Sequence, residues 1–201
     1  MAIILDMPQQ SPEWYTARCG NVGASNVDKI ITTTGARSKQ REDFMFQLAG
    51  ERITGKKEET FQSQAMLNGI EREAGARQFF ELIYGIEVKE VGIVFKDEFK
   101  LCHASPDGLI GDNAGIEIKN PIMKTHIKYL HNGKLPTEYF CQVQMSLYVT
   151  EREKWYFMSN YDGLKPLIVE VHRDEKWISL LEKELTDFNT ELLSIVERLR
   201  A

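Results

Sequence analysis

The sequence predicts an α/β domain, a mixed β-sheet flanked by helices, and three observations predict it. Segments of helical and strand character follow one another in the order α, βββ, α, ββ, α. Residues 115–119 alternate Ile116 and Ile118 against Glu117 and Lys119, the pattern of a strand buried on one face. From Asp174 onward, Trp177, Leu181, Leu185, Phe188, Leu192, Val196 and Leu199 recur at helical spacing, giving a long terminal helix with one apolar face turned to a core or a partner. The chain has 201 residues and no internal repeat, low-complexity tract or linker, so these elements are expected to form a single domain over residues 1–201.

Each element has its own local reason. Ser11-Pro12-Glu13-Trp14 is a helix start, and Cys19-Gly20-Asn21 a turn. A second short helix is expected near Ser25, and residues 32–39 are polar enough to form a flexible loop. Residues 41–53 and 62–84 are expected helices, the latter with Met66, Ile70, Ala74, Phe80 and Ile83 near helical spacing. Strands are expected over 87–95 and 101–104, running into the turn-forming Pro106-Asp107-Gly108. Thr137 is placed to cap a helix reaching about Val149. Strands over 154–159 and 167–171 precede the terminal helix.

Composition narrows the function less than it narrows the fold. A hydrophobic fraction of 42% and a charged fraction of 27% are ordinary for a globular chain. No apolar run approaches membrane-spanning length, and Met1-Ala2-Ile3-Ile4-Leu5-Asp6 is too short and too soon interrupted for a signal peptide, so no membrane association is expected. Cys19, Cys102 and Cys141 make no metal-ligand spacing and leave one thiol unpaired, which points to a reducing cytoplasm. The four histidines form no zinc motif. A net charge of −5 does not exclude a nucleic-acid partner, because carboxylates are required wherever a metal ion does the chemistry.

The chemistry is concentrated in Ser105-Pro106-Asp107-Gly108 and, nine residues on, Glu117-Ile118-Lys119. An Asp followed by an acidic-x-Lys triplet is the layout with which metal-dependent nucleases cut phosphodiesters. Asp107 and Glu117 can hold a hard cation such as Mg²⁺, with the Ile118 carbonyl as a further ligand. Lys119, two residues beyond Glu117, shares its face of the strand and can orient water or stabilise charge on the phosphate. Taken singly, each fragment has a plain reading: a turn, and a solvated strand face. Glu73 is a candidate third carboxylate, against the simpler reading of a surface charge paired with Arg72 or Arg77. Gln142 and Tyr139 share a helical face. Gln142 could hold the water or Lys119, with Gln144 competing for that role.

These residues carry a resemblance. The chain is similar to the lambda-phage exonuclease family of viral-type recombination nucleases, within the restriction-endonuclease-like superfamily. The matching motifs run in order: Trp14-x3-Arg18, Ala24-Ser25, Gly69-x3-Glu73-x2-Ala76-Arg77, Ser105-Pro106-Asp107-Gly108-Leu109, Ile116-Glu117-Ile118-Lys119-Asn120-Pro121, Gln142-Val143-Gln144 and Lys154-x-Tyr156-Phe157. The Asp…Glu-x-Lys core is shared by many nucleases; the Trp-x3-Arg opening together with Gln-Val-Gln is more specific.

The resemblance implies a restriction-endonuclease-like fold and Mg²⁺ as cofactor, with Mn²⁺ able to replace it. It implies Glu73, Asp107, Glu117, Lys119 and Gln142 as the active-site set, and Arg18, Ser25 and Ser105 as a pocket for a terminal 5′-phosphate. Met66 stands where the family carries a wedge against the end base pair. Gly23 stands where a relative has a hydroxyl residue, and Arg37 is a candidate groove contact. The activity implied is processive 5′-to-3′ digestion of duplex DNA, releasing mononucleotides and leaving a 3′ single strand. A homotrimeric ring and a single-strand annealing protein as partner come with it. Two alternatives are an endonuclease or repair nuclease of the same superfamily and a non-catalytic DNA-end-binding protein. Three scattered cysteines argue against an iron–sulfur repair nuclease, which needs four ligands, and an intact Asp107, Glu117 and Lys119 argue against an inert binder.

Overall fold

In a computed structural model of the chain, residues 1–57 and 72–201 are described. Met66 and the first part of the helix expected over 62–84 lie outside them.

Eight strands and six α-helices follow one another among the described residues: β1 (Ile3–Leu5), α1 (Pro12–Arg18), β2 (Val22–Gly23), α2 (Arg41–Thr54), α3 (Glu73–Tyr84), β3 (Ile93–Phe95), β4 (Cys102–Ala104), β5 (Gly108–Ile110), β6 (Ala114–Lys119), α4 (Met123–Asn132), α5 (Phe140–Thr150), β7 (Lys154–Ser159), β8 (Leu167–His172) and α6 (Glu175–Arg200). Short 3-10 helices span Ala24–Lys29 and Thr137–Tyr139. The mixed α/β architecture is the expected one, but the strands divide into two four-stranded sheets, in the orders β1-β3-β4-β2 and β5-β6-β7-β8. They separate between β4 and β5, where Pro106 offers no N–H to continue a ladder. Each sheet is mixed: β2 pairs parallel with β4 and β6 with β7, and the other neighbours are antiparallel.

β6 is the strand that matters most, and its burial departs from expectation. Its residues from Ala114 to Ile118 are all buried, so neither face is solvated. Ile116 and Ile118 pack with Ala76 and Phe80 of α3 and with Tyr156 and Met158 of β7. On the main core side, helices α2, α5 and α6 bring together Phe44, Leu48, Val143, Leu147, Leu181 and Phe188. A charged residue on such a strand is held there by partners, not left to water.

The terminal helix packs within its own chain. Trp177 through Val196 of the apolar stripe is buried, while Leu199 is exposed. Phe188 stacks on Phe44 at 5.9 Å, and Arg41 forks onto Glu191 at 2.9 and 3.0 Å. The expected flexible loop at 32–39 is instead a hydrogen-bonded turn. Thr32 and Gly35 N–H groups are satisfied within it, and Ile31 bridges to Arg37. Arg37 is engaged with Glu184 at 2.8 Å and Asp187 at 3.0 Å, which ties the turn to α6 while its side chain stays half exposed.

Other differences have local causes. The helix α4 was not expected because its core-facing positions are His126 and Tyr129, while apolar Ile127 is exposed. His126 is satisfied by the Ser159 hydroxyl at 2.8 Å and the Lys165 carbonyl at 3.1 Å. The strand expected over 87–95 shortens to β3, with one isolated bridge between Lys89 and Leu109 before it. Thr137 makes no capping bond; it begins a 3-10 turn after Pro136. Strands β1, β2 and β5 are too short, at two or three residues, to carry an alternation pattern.

Gly115 lies directly under Trp155 of the neighbouring strand, and a Cβ there would enter the indole ring. Gly115→Ala is therefore expected to lower stability by about 1–3 kcal/mol, read as a lower midpoint in urea with the slope of the transition kept.

Candidate active site

The turn after β4 delivers Asp107 to the edge of β6. Gln9 fixes the turn from outside, its Nε2 donating to the carbonyls of Val91 at 3.0 Å and Pro106 at 2.9 Å. Asp107 Oδ2 accepts the N–H of Ile118 at 2.5 Å. Thus the carboxylate of one motif is bonded to the central residue of the other, eleven positions on. Successive residues of a strand turn their N–H and C=O to opposite sides. The Lys119 carbonyl is taken by Asn160 N–H at 2.9 Å on the β7 side, so the Ile118 carbonyl faces the Asp107 side, past the end of β5.

Glu117 is 3% exposed. Its Oε1 accepts Gln142 Nε2 at 2.6 Å and Lys119 Nζ at 2.5 Å. Lys119 also lies over the Tyr139 ring, 5.4 Å from its centroid. Tyr139 and Gln142 therefore act from one helical face, as their spacing suggested. Gln144 has a structural role instead: its amide bonds the His172 carbonyl and its oxygen accepts Asp174 N–H, both at 2.8 Å, joining β8 to α6.

Glu73 opens α3 and meets Arg77 at 3.4 Å. That local pair is the one the plain reading anticipated. Yet Glu73 also lines, with Asp107, Arg77 and residues 6–10, a cleft of about 510 Å³. Burial raises the pKa of its carboxyl against the pull of Arg77, and Glu117 adds to the rise. Asp107 is raised well above the ordinary carboxylate range, first by burial and then by the charges of Glu117 and Glu73, with Lys119 opposing. At Lys119 burial disfavours the ammonium charge, but Glu117 and Asp107 outweigh it and the pKa rises. Lys119 is thus cationic at neutral pH.

Three carboxylates facing Lys119 and Arg77 leave an excess of negative charge, and all the donors are hard oxygens. Asp107, Glu117 and the Ile118 carbonyl fit a divalent cation of the Mg²⁺ type. No group of three or more His, Cys, Asp or Glu among the described residues is already arranged as a metal cage. The fit rests on two carboxylates and a backbone oxygen, the remaining ligands being left to water and substrate as Mg²⁺ prefers.

Beside the carboxylates lies a basic corner. Arg18 stacks on Trp14, 4.0 Å from the ring centroid. The Trp14 indole N–H is directed at the Gly92 carbonyl, 2.9 Å, and the Ser105 hydroxyl, 3.2 Å. One aromatic residue therefore positions both Arg18 and Ser105. Burial lowers the pKa of Arg18 to about 10, with Tyr15 and Glu117 opposing, so it too stays charged. Arg18 makes no ion pair among the described residues, and its buried Nε has no hydrogen-bond partner. Ser25 is exposed on the 3-10 turn and does not cap it; Gly23 occupies the cap position. Gly23 and Asn26 of that turn line a small cavity with Arg18, Asn21, Lys57 and His103. His103 was not singled out in the sequence, although it lies two residues before Ser105 and so shares its face of the chain.

Residues 13–153 match the family described as the YqaJ-like viral recombinase domain. Among solved structures, the chain is similar to the alkaline exonuclease LHK-Exo of Laribacter hongkongensis, with 34% identity and a TM-score of 0.86 over 94% of this chain and 96% of that one. LHK-Exo in complex with dAMP matches with a TM-score of 0.85 at 34% identity over the same shares, 94% and 96%. A phage related exonuclease from Haemophilus somnus, at 12% identity and TM-score 0.68 over 89% of this chain and 96% of that one, shares the fold. No curated protein matches the chain.

His103 gives a pH dependence that can be signed. Burial lowers its pKa well below the ordinary 6.5, and the charges of Arg18 and Lys57 add to the effect. The unfolded chain therefore takes up the proton first. Stability is fully present above pH 6.5 and is lost as pH falls towards the folded-state value. Between pH 6.5 and 5 the loss is expected to reach at most about 1.4 kcal/mol per pH unit. Urea unfolding of the parent and of His103→Phe should show a smaller acid slope in the variant.

Proposed function

The chain belongs to the YqaJ-like viral recombinase family, and on that premise we propose that it is a Mg²⁺-dependent exonuclease acting on double-stranded DNA from 5′-phosphorylated ends. It releases mononucleotides in the 5′-to-3′ direction and leaves a 3′ single strand. The observation that carries this reading is the convergence of Asp107, Glu117, Lys119 and Gln142 on one edge of β6, next to the basic corner of Arg18 and Ser105. The likeness to LHK-Exo, an exonuclease solved with the mononucleotide dAMP, supports the same class of reaction.

The geometry of the acidic centre supports the roles of its residues, and the resemblance supports those of the phosphate pocket. Asp107, Glu117 and the Ile118 carbonyl would hold Mg²⁺, which would supply Lewis-acid polarisation of the scissile phosphate and a more acidic attacking water; Mn²⁺ suits the same oxygen donors. The Ile118 N–H fixes the direction of the Asp107 carboxylate. Gln142 and Lys119 fix Glu117 through one oxygen. Lys119, kept protonated by its acidic neighbours, donates to a phosphate oxygen and stabilises the charge that develops there. Glu73 adds a third carboxylate across the cleft, available to orient water. Arg18, Ser25 and Ser105 hold the terminal 5′-phosphate through a charged fork and two hydroxyls. A pocket of that kind positions the end so that the first phosphodiester lies at the carboxylates.

Processive action by a chain of net charge −5 is accounted for by a homotrimeric ring that encloses the duplex. Enclosure retains the substrate without the many phosphate contacts that would slow movement. The exposed strand is passed to a single-strand annealing protein in the cytoplasm, which completes recombination. No described helix is long and apolar enough to cross a membrane.

Linear duplexes with 5′-phosphate ends, 5′-hydroxyl ends and covalently closed circles separate the possibilities in a single digestion with Mg²⁺. Mononucleotides are expected from the phosphorylated linear substrate, slower release from the hydroxyl ends and none from circles; cleavage of circles would sink end dependence. Lys119→Ala should lower the rate by about 10²–10³-fold, with DNA binding retained in a gel-shift assay. Mg²⁺ should also raise the melting temperature of the parent protein, and Asp107→Ala should remove most of that rise.

A further inference from the structure

His103 is 2% exposed, and both of its ring nitrogens are buried without a hydrogen-bond partner among the described residues. An imidazole carries a donor and an acceptor, and leaving both unmet in a folded protein is costly. Its Nε2 is directed at Gly23. A side chain there would place its Cβ 3.0 Å from His103 Nε2 and 3.8 Å from Arg18 Nη2. Both nitrogens therefore approach the bare Gly23, beside a cavity of about 20 Å³ that admits one water-sized atom such as a single phosphate oxygen. Arg18 brings a second orphan to the same place, its Nε. Asn21, Asn26 and Lys57 complete a polar lining.

We propose that His103 is a further binding residue for the terminal 5′-phosphate, and that it takes up a proton from solvent when that phosphate enters. This rests on the end-recognition reading of Arg18, Ser25 and Ser105, and it adds a proton to it. The groups that face His103 are cationic on two sides: Arg18 from α1 and Lys57 beyond the end of α2. Glu51 of α2 lines the cavity too, but its carboxylate is engaged by Gly20 N–H at 2.8 Å and Gln47 at 2.9 Å. The Phe95 ring of β3 packs at 5.8 Å and adds no charge. Burial first, and the two cations after it, hold the imidazole neutral. A phosphate dianion placed between Arg18 and His103 reverses the local field. Imidazolium then becomes the favoured form, with an N–H to donate to a phosphate oxygen. A 5′-hydroxyl end brings no such charge and gives no protonation. Discrimination between the two ends is thereby enlarged, most strongly at lower pH.

Calorimetry of the whole protein in EDTA, which prevents cleavage, tests this. A duplex oligonucleotide with 5′-phosphate ends and the same duplex with 5′-hydroxyl ends are titrated at pH 7 in buffers of small and large ionisation enthalpy. The buffer dependence of the measured heat counts protons. The expected result is uptake of a substantial fraction of one proton per phosphorylated end and none for the hydroxyl end. The preference for phosphate should fall as pH rises from 6 to 9, by at most about tenfold per unit for a single proton. His103→Gln and His103→Phe, checked for folding by their melting curves, should lose the uptake and flatten the pH dependence. A preference for phosphate in the parent without proton uptake overturns the inference, and so does uptake that persists in both variants. In either case His103 is served by water and the Arg18 pocket stands. Equal binding of the two ends in the parent overturns the end-recognition reading itself, and this inference with it.

Discussion

Keeping three carboxylates in one half-buried volume is the constraint around which the molecule is arranged. Asp107, Glu117 and Glu73 repel one another, and burial removes the water that would otherwise screen them. What offsets that repulsion is directional. Lys119 and Gln142 meet on a single oxygen of Glu117, the Ile118 N–H meets Asp107, and Arg77 meets Glu73. The negative charge left over after those contacts is what makes the place attractive to a divalent cation. Destabilisation and metal affinity are here two aspects of one arrangement.

The scaffold serves that arrangement by fixing directions. β6 is covered on both faces, so the alternation of its side chains is locked and Glu117 cannot turn to solvent. Pro106 ends the β4 ladder and frees the chain to bring Asp107 across to Ile118. Helix α5 carries Gln142 on the side nearest β6 while Gln144, two residues on, faces away to tie β8 to α6. Trp14 then links the basic corner to the same turn by placing its indole between Arg18 and Ser105. None of these contacts is long in space, yet most join residues remote in sequence.

That separation explains what was legible from residues alone. The acidic-x-Lys triplet follows from strand alternation, and the terminal helix from its apolar stripe; both are local patterns. The bond from Asp107 to Ile118 is the kind of contact local pattern cannot supply. Helix α4 was hidden because its buried positions are His126 and Tyr129, polar residues satisfied by partners across the fold. The turn at 32–39 read as flexible because its order comes from Arg37 reaching α6, some 150 residues away. His103 passed unnoticed for the opposite reason. Its significance lies in partners it lacks among the described residues, and sequence does not report an unmet hydrogen bond.

One wall of the cleft is built from residues 6–10, a short arm held by the two hydrogen bonds of Gln9. The arm contributes nothing to the strand that bears the carboxylates. Apart from Gln9, which fixes the turn bearing Asp107, its residues can drift without disturbing the acidic centre, and the width of the entrance becomes a trait separate from the reaction. A lineage could narrow or widen what it admits by edits to a handful of residues near Met1.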